Sequence, residues 1–118
     1  MINLYNRGMQ EESLSQQVKK LEKYIYTLKA ARELNKLDRP ARESMIRLRD
    51  SVTNARGAVD RYFGSDDTAE QVLALDEAIE QLQINGEAIL QSSQFDLLDI
   101  ADVAHLSALN EYIIDQLR

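Results

Sequence analysis

The side chains with the clearest chemical potential in this sequence are those of Asp102 and His105. On an α-helix their spacing of three places both on one face, as in the Glu-x-x-His pairs of ferritin-like metal sites. Such a site takes a pair from each of two helices, whereas this chain has a single histidine. We therefore predict no metal site and interpret His105 as a polar residue beside a capping acid.

No other arrangement of residues is typical of catalysis or cofactor binding. The G-x-S-x-G elbow of serine hydrolases is missing from the sequence, as are the glycine-rich loops that bind nucleotides. The chain has no cysteine, which excludes disulfides and thiolate metal ligands. We predict that the protein is not an enzyme and that it binds no cofactor.

Charge is divided unevenly along the chain. Residues 1–62 contain 13 Lys and Arg and 8 Asp and Glu, a net charge of +5, whereas residues 63–118 contain one Arg and 12 acids, a net charge of −11. Halves of opposite charge can pack on each other, associate head to tail with an identical chain, or bind a charged partner.

Three arginines, Arg42, Arg49 and Arg56, recur every seven residues in the basic half. On a helix they form one row, here named the basic row, of the kind that binds nucleic-acid phosphates. Positions such as Arg56 and Asp60 are also spaced for pairing within the helix. Because the whole chain has a net charge of −6, nucleic-acid binding is not the favoured interpretation.

Three acids of the other half, Asp76, Glu80 and Glu87, flank the apolar positions of a predicted helix. We name these residues the acidic face. Two uses are open: pairing with the basic row across a helical hairpin, or binding a basic protein as a nucleic-acid mimic does.

The stretch from residue 41 to residue 62 has the clearest helical pattern. Its apolar positions alternate in steps of four and three: Ala41, Met45, Leu48, Val52, Ala55, Val59 and Tyr62. This spacing predicts one narrow stripe that packs against another helix, with a row of small residues, Ser44, Ser51 and Ala58, along one side.

Weaker patterns of the same kind predict the rest of the fold. We predict a single helical domain at 1–118, with an N-terminal arm at 1–10 and helices at about 11–36, 40–63, 68–91 and 100–117. Short turns make consecutive helices antiparallel, so the predicted fold is all-α, a three- to four-helix antiparallel bundle with coiled-coil-like packing. The positions expected to pack the helices together are Leu48, Val52, Val59, Leu75, Ile79 and Leu82.

Two helices leave alternatives open. Gly86 lies on the stripe of the third predicted helix, where it either admits a close neighbour or breaks the helix. The last predicted helix has two apolar faces, which indicates either a kink near Asp102 or contact with a second copy. For a homo-oligomer we predict the face formed by Leu109, Ile113 and Leu117.

Together these patterns favour a non-catalytic protein–protein interaction module, such as an adaptor, chaperone or regulator, that acts through helix surfaces. An acidic inhibitor that blocks a basic site on a nucleic-acid-handling protein is the first alternative. Nucleic-acid binding through the basic row is the second. The sequence shows neither a signal-peptide pattern nor an apolar run of membrane-spanning length, so we expect a cytoplasmic protein with no membrane partner.

Overall fold

A computed structural model describes residues 7–118, with side chains described from residue 13 onward. These residues form α1 (Arg7–Thr27), α2 (Lys29–Arg32), α3 (Arg39–Gly64), α4 (Thr68–Gln94) and α5 (Ile100–Leu117), with a 3₁₀ turn at Leu34–Lys36. No strand is present in this part of the chain. The predicted all-α fold class is confirmed.

The N-terminal helix differs from the prediction at both ends. Residues 7–10 belong to α1 rather than to an arm, and the remainder of the predicted arm, 1–6, lies outside the described residues. The helix expected to continue to Lys36 is interrupted at Leu28, whose backbone is extended (φ −61°, ψ 140°). Just before the break, the Thr27 hydroxyl donates to the carbonyl of Tyr24 (2.8 Å) and so competes with the helical hydrogen bonding there.

Aspartate side chains cap the N-termini of α4 and α5. Asp67 Oδ1 accepts from the Ala69 amide (3.0 Å), and Asp99 Oδ1 accepts from the Asp102 amide (2.7 Å), so both acids cap as their positions predict. Gly64 does not adopt the left-handed conformation typical of a C-terminal glycine, since no glycine among the described residues has positive φ. Helix α3 instead ends at an extended serine, Ser65.

The four long helices form a ring in which each packs against two neighbours: α1 on α3, α3 on α4, α4 on α5, and α5 on α1. Ser44 lies opposite Ser92 and Ser51 opposite Asn85, so α3 and α4 are antiparallel, as their short connection predicts. The resulting bundle measures 47 × 24 × 19 Å.

The core is built on the α3 stripe. Five residues of this stripe are buried: Met45, Leu48, Val52, Ala55 and Val59. The row of small residues on α3 is buried as well and faces α4, where small side chains let the two helices approach closely. On α4 only one of the predicted packing positions is fully inside: Leu82 is buried, whereas Leu75 and Ile79 are half-buried.

A chain of polar side chains crosses the centre of the bundle. The Asn85 amide donates to Ser51 Oγ and to the Leu48 carbonyl, both at 3.1 Å. The Asn110 amide donates to Asn85 Oδ1 (3.1 Å) and to the Leu82 carbonyl (2.8 Å). Both asparagines are buried, so these bonds link α3, α4 and α5 where water cannot substitute for a lost partner.

Gly86 admits a close neighbour and does not break α4, which continues to Gln94. A Cβ at this position would lie 3.4 Å from Asn110 Oδ1, so the absence of a side chain makes room for the Asn110 amide of α5. Among the described residues, no helix combines the length and apolarity required to cross a bilayer.

Candidate interaction surface

Asp102 and His105 are brought together with Tyr24 where α5 packs on α1. The Tyr24 hydroxyl donates to Asp102 Oδ1 (2.7 Å), and the Tyr24 and His105 rings stack with their centroids 5.7 Å apart. The hydrogen bond to Asp102, with smaller effects of burial and of the negative charges of Asp102 and Asp99, raises the pKa of Tyr24 to about 12. Within the described residues, no group of three or more His, Cys, Asp and Glu side chains is placed to hold a metal ion. The hydrogen bond and the ring stacking join α1 to α5.

The basic row contacts groups of its own chain. Arg42 donates to the Leu37 carbonyl (3.0 Å), and the Arg49 guanidinium lies 4.7 Å from the centre of the Tyr26 ring. Arg56 lies between two acids, Glu22 and Asp60. The row therefore lies on the side of α3 that faces α1 and the segment before α3.

Arg56 forms an ion pair with Glu22 of α1 (2.9 Å) and a second one with Asp60, one turn away (3.3 Å). The hydrogen bond and charge of Glu22 raise the pKa of Arg56 further above its usual value. Of the two uses considered for the acidic face, the structure does not show pairing with the basic row, because that row faces α1 whereas the acidic face lies on the outer side of α4. Between α3 and α4, the described side chains form one ion pair, Arg61 with Glu77.

The acidic face is exposed along the outer side of α4, and α5 adds two further exposed acids, Glu111 and Asp115. We name these five residues the acidic surface. No ion pair within the described part of the chain involves any of them. Neither α4 nor α5 contains a Lys or an Arg, so cations of these helices do not offset the negative charge.

A groove of about 480 Å³ runs between α4 and α5 within the acidic surface. Its lining includes two small residues, Gly86 and Ser107, and the buried Asn110. Its sides carry two acids, Glu87 and Glu111, and two apolar side chains, Leu90 and Ile114. The groove therefore presents both an apolar contact and negative charge.

The side chains predicted to contact a second copy point instead into the bundle. Ile113 is fully buried and Leu117 is buried beside it, whereas Leu109 is half-buried next to α1. The face of α5 directed to solvent contains alanines, including Ala104 and Ala108. An oligomer contact through Ile113 and Leu117 would require the core to open, because these side chains already pack against their own chain.

Helix α5 is a single helix with Asp102 in its first turn, so its two apolar faces do not mark a division there. The groove residues Ser107 and Asn110 were not singled out from the sequence. One signal for Asn110 was present: it follows Leu106 by four residues and precedes Ile113 by three, and both of those are buried. No protein-family model, curated protein or solved structure matches the chain.

Proposed function

We propose that this chain is a non-catalytic protein–protein interaction module that binds a basic partner protein through the acidic surface. The observation that carries the proposal is a set of five exposed acids on two neighbouring helices that contain no Lys or Arg; none of the five forms an ion pair with a described residue. Such a surface attracts cations over about 10 Å at ordinary salt concentrations and repels other anions. A role as adaptor, chaperone or regulator in the cytoplasm fits this proposal.

Charge alone does not supply a stable complex. Each exposed ion pair contributes about 0.2–1 kcal/mol, so five pairs fall short of the roughly 8 kcal/mol of a micromolar complex. Apolar contacts must supply the rest, and α4 offers Leu90, which lies beside Glu87 and is 58% exposed. Burying a leucine side chain contributes about 1.5–3 kcal/mol.

The density of charge favours a second candidate, an inhibitor that occupies the nucleic-acid site of its partner. Asn110 contacts Asn85, which places Glu111 and Asp115 alongside the acidic face. From Asp76 to Glu87 the helix rises about 16 Å, so the five charges of the acidic surface are separated along the axis by roughly 4 Å on average. One strand of duplex DNA presents a charge about every 3.4 Å.

The nucleic-acid alternative based on the basic row has less support. Arg49 is half-buried against Tyr26, and Arg56 is already paired with Glu22 and Asp60. Binding a phosphate would require these arginines to leave partners within their own chain, which reduces the gain from each contact.

The test of the proposal is affinity capture from cells that express the protein. Wild-type protein is compared with the triple variant Asp76→Asn, Glu80→Gln, Glu87→Gln, and with a control that neutralises Glu43, Asp50 and Asp66. The control removes the same number of exposed acids from α3 and the turn that follows it. We expect a basic protein that is retained by the wild type and the control but lost by the triple variant.

The inhibitor candidate adds one requirement to this experiment. Duplex DNA or RNA added to the captured complex should displace the partner, because both would occupy the same basic site. Retention of the same proteins by all three forms of the chain contradicts the proposed function, whereas displacement by nucleic acid decides only between its two versions.

A further inference from the structure

We propose that the groove between α4 and α5 beside Gly86 docks a basic amphipathic helix of the partner protein. The inference rests on the proposed function and names the segment of the partner that would bind. Helices commonly bind other proteins by placing an apolar face in a groove and charged side chains along its edges.

The shape of the groove suits a helix. Gly86 has no side chain, Ser107 has a small one, and the Asn110 side chain is turned into the core toward Asn85 and Leu82. Small residues at these positions lower the surface between two helices, so a third helix can approach closely.

The order of the side chains along the groove also fits a basic helix. Because α4 and α5 are antiparallel and Asn110 lies opposite Asn85, the order along the axis is Leu90, Glu87, Glu111 and Ile114. Apolar contacts thus lie at the two ends and acids between them, over about 13 Å of helix axis. A complementary helix has two apolar residues about eight positions apart, with Lys or Arg between them on the same face.

Electrostatic repulsion favours a foreign helix over a second copy of this chain. Two identical copies each have a net charge of −6 and therefore repel each other as whole molecules. A symmetric contact through the groove would also place Glu87 and Glu111 against their own counterparts. A basic partner has the opposite sign and is attracted, so we commit to the basic helix as the occupant.

The test uses a labelled synthetic helix as probe, with two leucines eight positions apart, lysines between them on the same face, and alanines elsewhere. Fluorescence anisotropy gives its Kd for the wild type. Three variants are compared: Glu87→Lys with Glu111→Lys, Leu90→Asp in the groove, and Leu73→Asp on the same helix outside the groove. Circular dichroism confirms that each variant is folded.

We expect the double reversal and Leu90→Asp each to weaken binding by about tenfold or more, and Leu73→Asp to leave it within about twofold. The leucine variants are decisive because both add a negative charge. Simple attraction between a cationic peptide and an acidic protein would make both variants bind more tightly. Equal effects of Leu90→Asp and Leu73→Asp, in either direction, therefore contradict docking in the groove.

Two further outcomes separate this inference from the proposed function. In the first, the triple neutral variant loses the captured partner, but Leu90→Asp binds the probe as tightly as the wild type does. This result contradicts docking in the groove and supports binding through the acidic surface. A wild-type dimer that Leu90→Asp converts to a monomer, measured by sedimentation, shows that a second copy occupies the groove and overturns the inference.

Discussion

At the scale of single residues, the bundle depends on polar contacts in its core. Asn85 and Asn110 are buried, and each donates two hydrogen bonds that link neighbouring helices. Purely apolar helix faces slide past one another at small cost, whereas buried amides have partners in only one register. We infer that these asparagines fix the alignment of α3, α4 and α5.

Replacing Asn110 with alanine tests this role. The change removes the donor to Asn85 Oδ1 and the Leu82 carbonyl, so the free energy of unfolding should fall by about 1–3 kcal/mol. The control is Asn54→Ala, which removes a single exposed 3.3 Å bond to Gln81 and gains the same helix propensity. Equal midpoints of urea unfolding for the two variants would exclude a stabilising role for the buried amide.

Tyr24 gives a prediction about pH. Its pKa is raised to about 12 in the folded protein from an ordinary value of 10.0, so the folded state holds the phenolic proton more tightly than the unfolded state does. The contact contributes its full stability below pH 10 and loses it as the pH rises toward 12. Thermal unfolding between these pH values should show a steeper loss of stability for the wild type than for Tyr24→Phe; parallel curves contradict the assignment.

The sequence predicts the residue-level contacts poorly, for a physical reason. Asn85 and Asn110 are polar, so an apolar pattern does not count them as core residues although the spacing of their neighbours places them inside. The basic row is correctly expected on one side of α3. Which helix that side faces depends on the order of packing around the ring, and periodicity in one helix does not contain that information.

At the scale of helices, the face of α5 predicted to contact a second copy packs in the core of its own bundle. The sequence indicates two apolar faces on this helix and does not show which one joins the core. The face with branched side chains, among them Leu106 and Ile113, is inside because it buries more apolar area than alanines do. The alanine face, which includes Ala104 and Ala108, remains exposed.

Ile113→Asp distinguishes the two orientations. With Ile113 fully buried, we expect the substitution to cost at least about 4 kcal/mol and to unfold the chain, rather than to give a folded monomer. Ala108→Asp places the same carboxylate on the exposed face and should leave the helical circular dichroism intact. A folded, monomeric Ile113→Asp protein derived from a dimeric wild type would restore the predicted oligomer interface.

The α3–α4 hairpin is well predicted because its apolar stripe is narrow and its turn is short. The break in the N-terminal helix is not predicted, because Leu28 continues the apolar pattern across the point where α1 ends. The interruption redirects the chain so that Ala31 is buried and Leu34 and Leu37 are half-buried beneath the start of α3. A tertiary gain of this kind overrides helix propensity.

At the scale of the whole molecule, the uneven charge of the sequence corresponds to an exposed acidic surface on α4 and α5. The basic half is partly neutralised by its own acids, including Glu22, whereas the acids of α4 and α5 remain exposed. We therefore expect no shift of DNA or RNA in a mobility assay at low salt. A shift that disappears when Arg42, Arg49 and Arg56 are replaced by alanine would instead support nucleic-acid binding through the basic row.

The most direct measurement is the salt dependence of the complex with the captured partner, for the wild type and for the triple variant at Asp76, Glu80 and Glu87. We predict that the wild-type Kd rises steeply with salt, and that the triple variant binds weakly with a much shallower slope. Equal slopes for the two proteins, or a wild-type affinity that salt does not change, would contradict binding through the acidic surface.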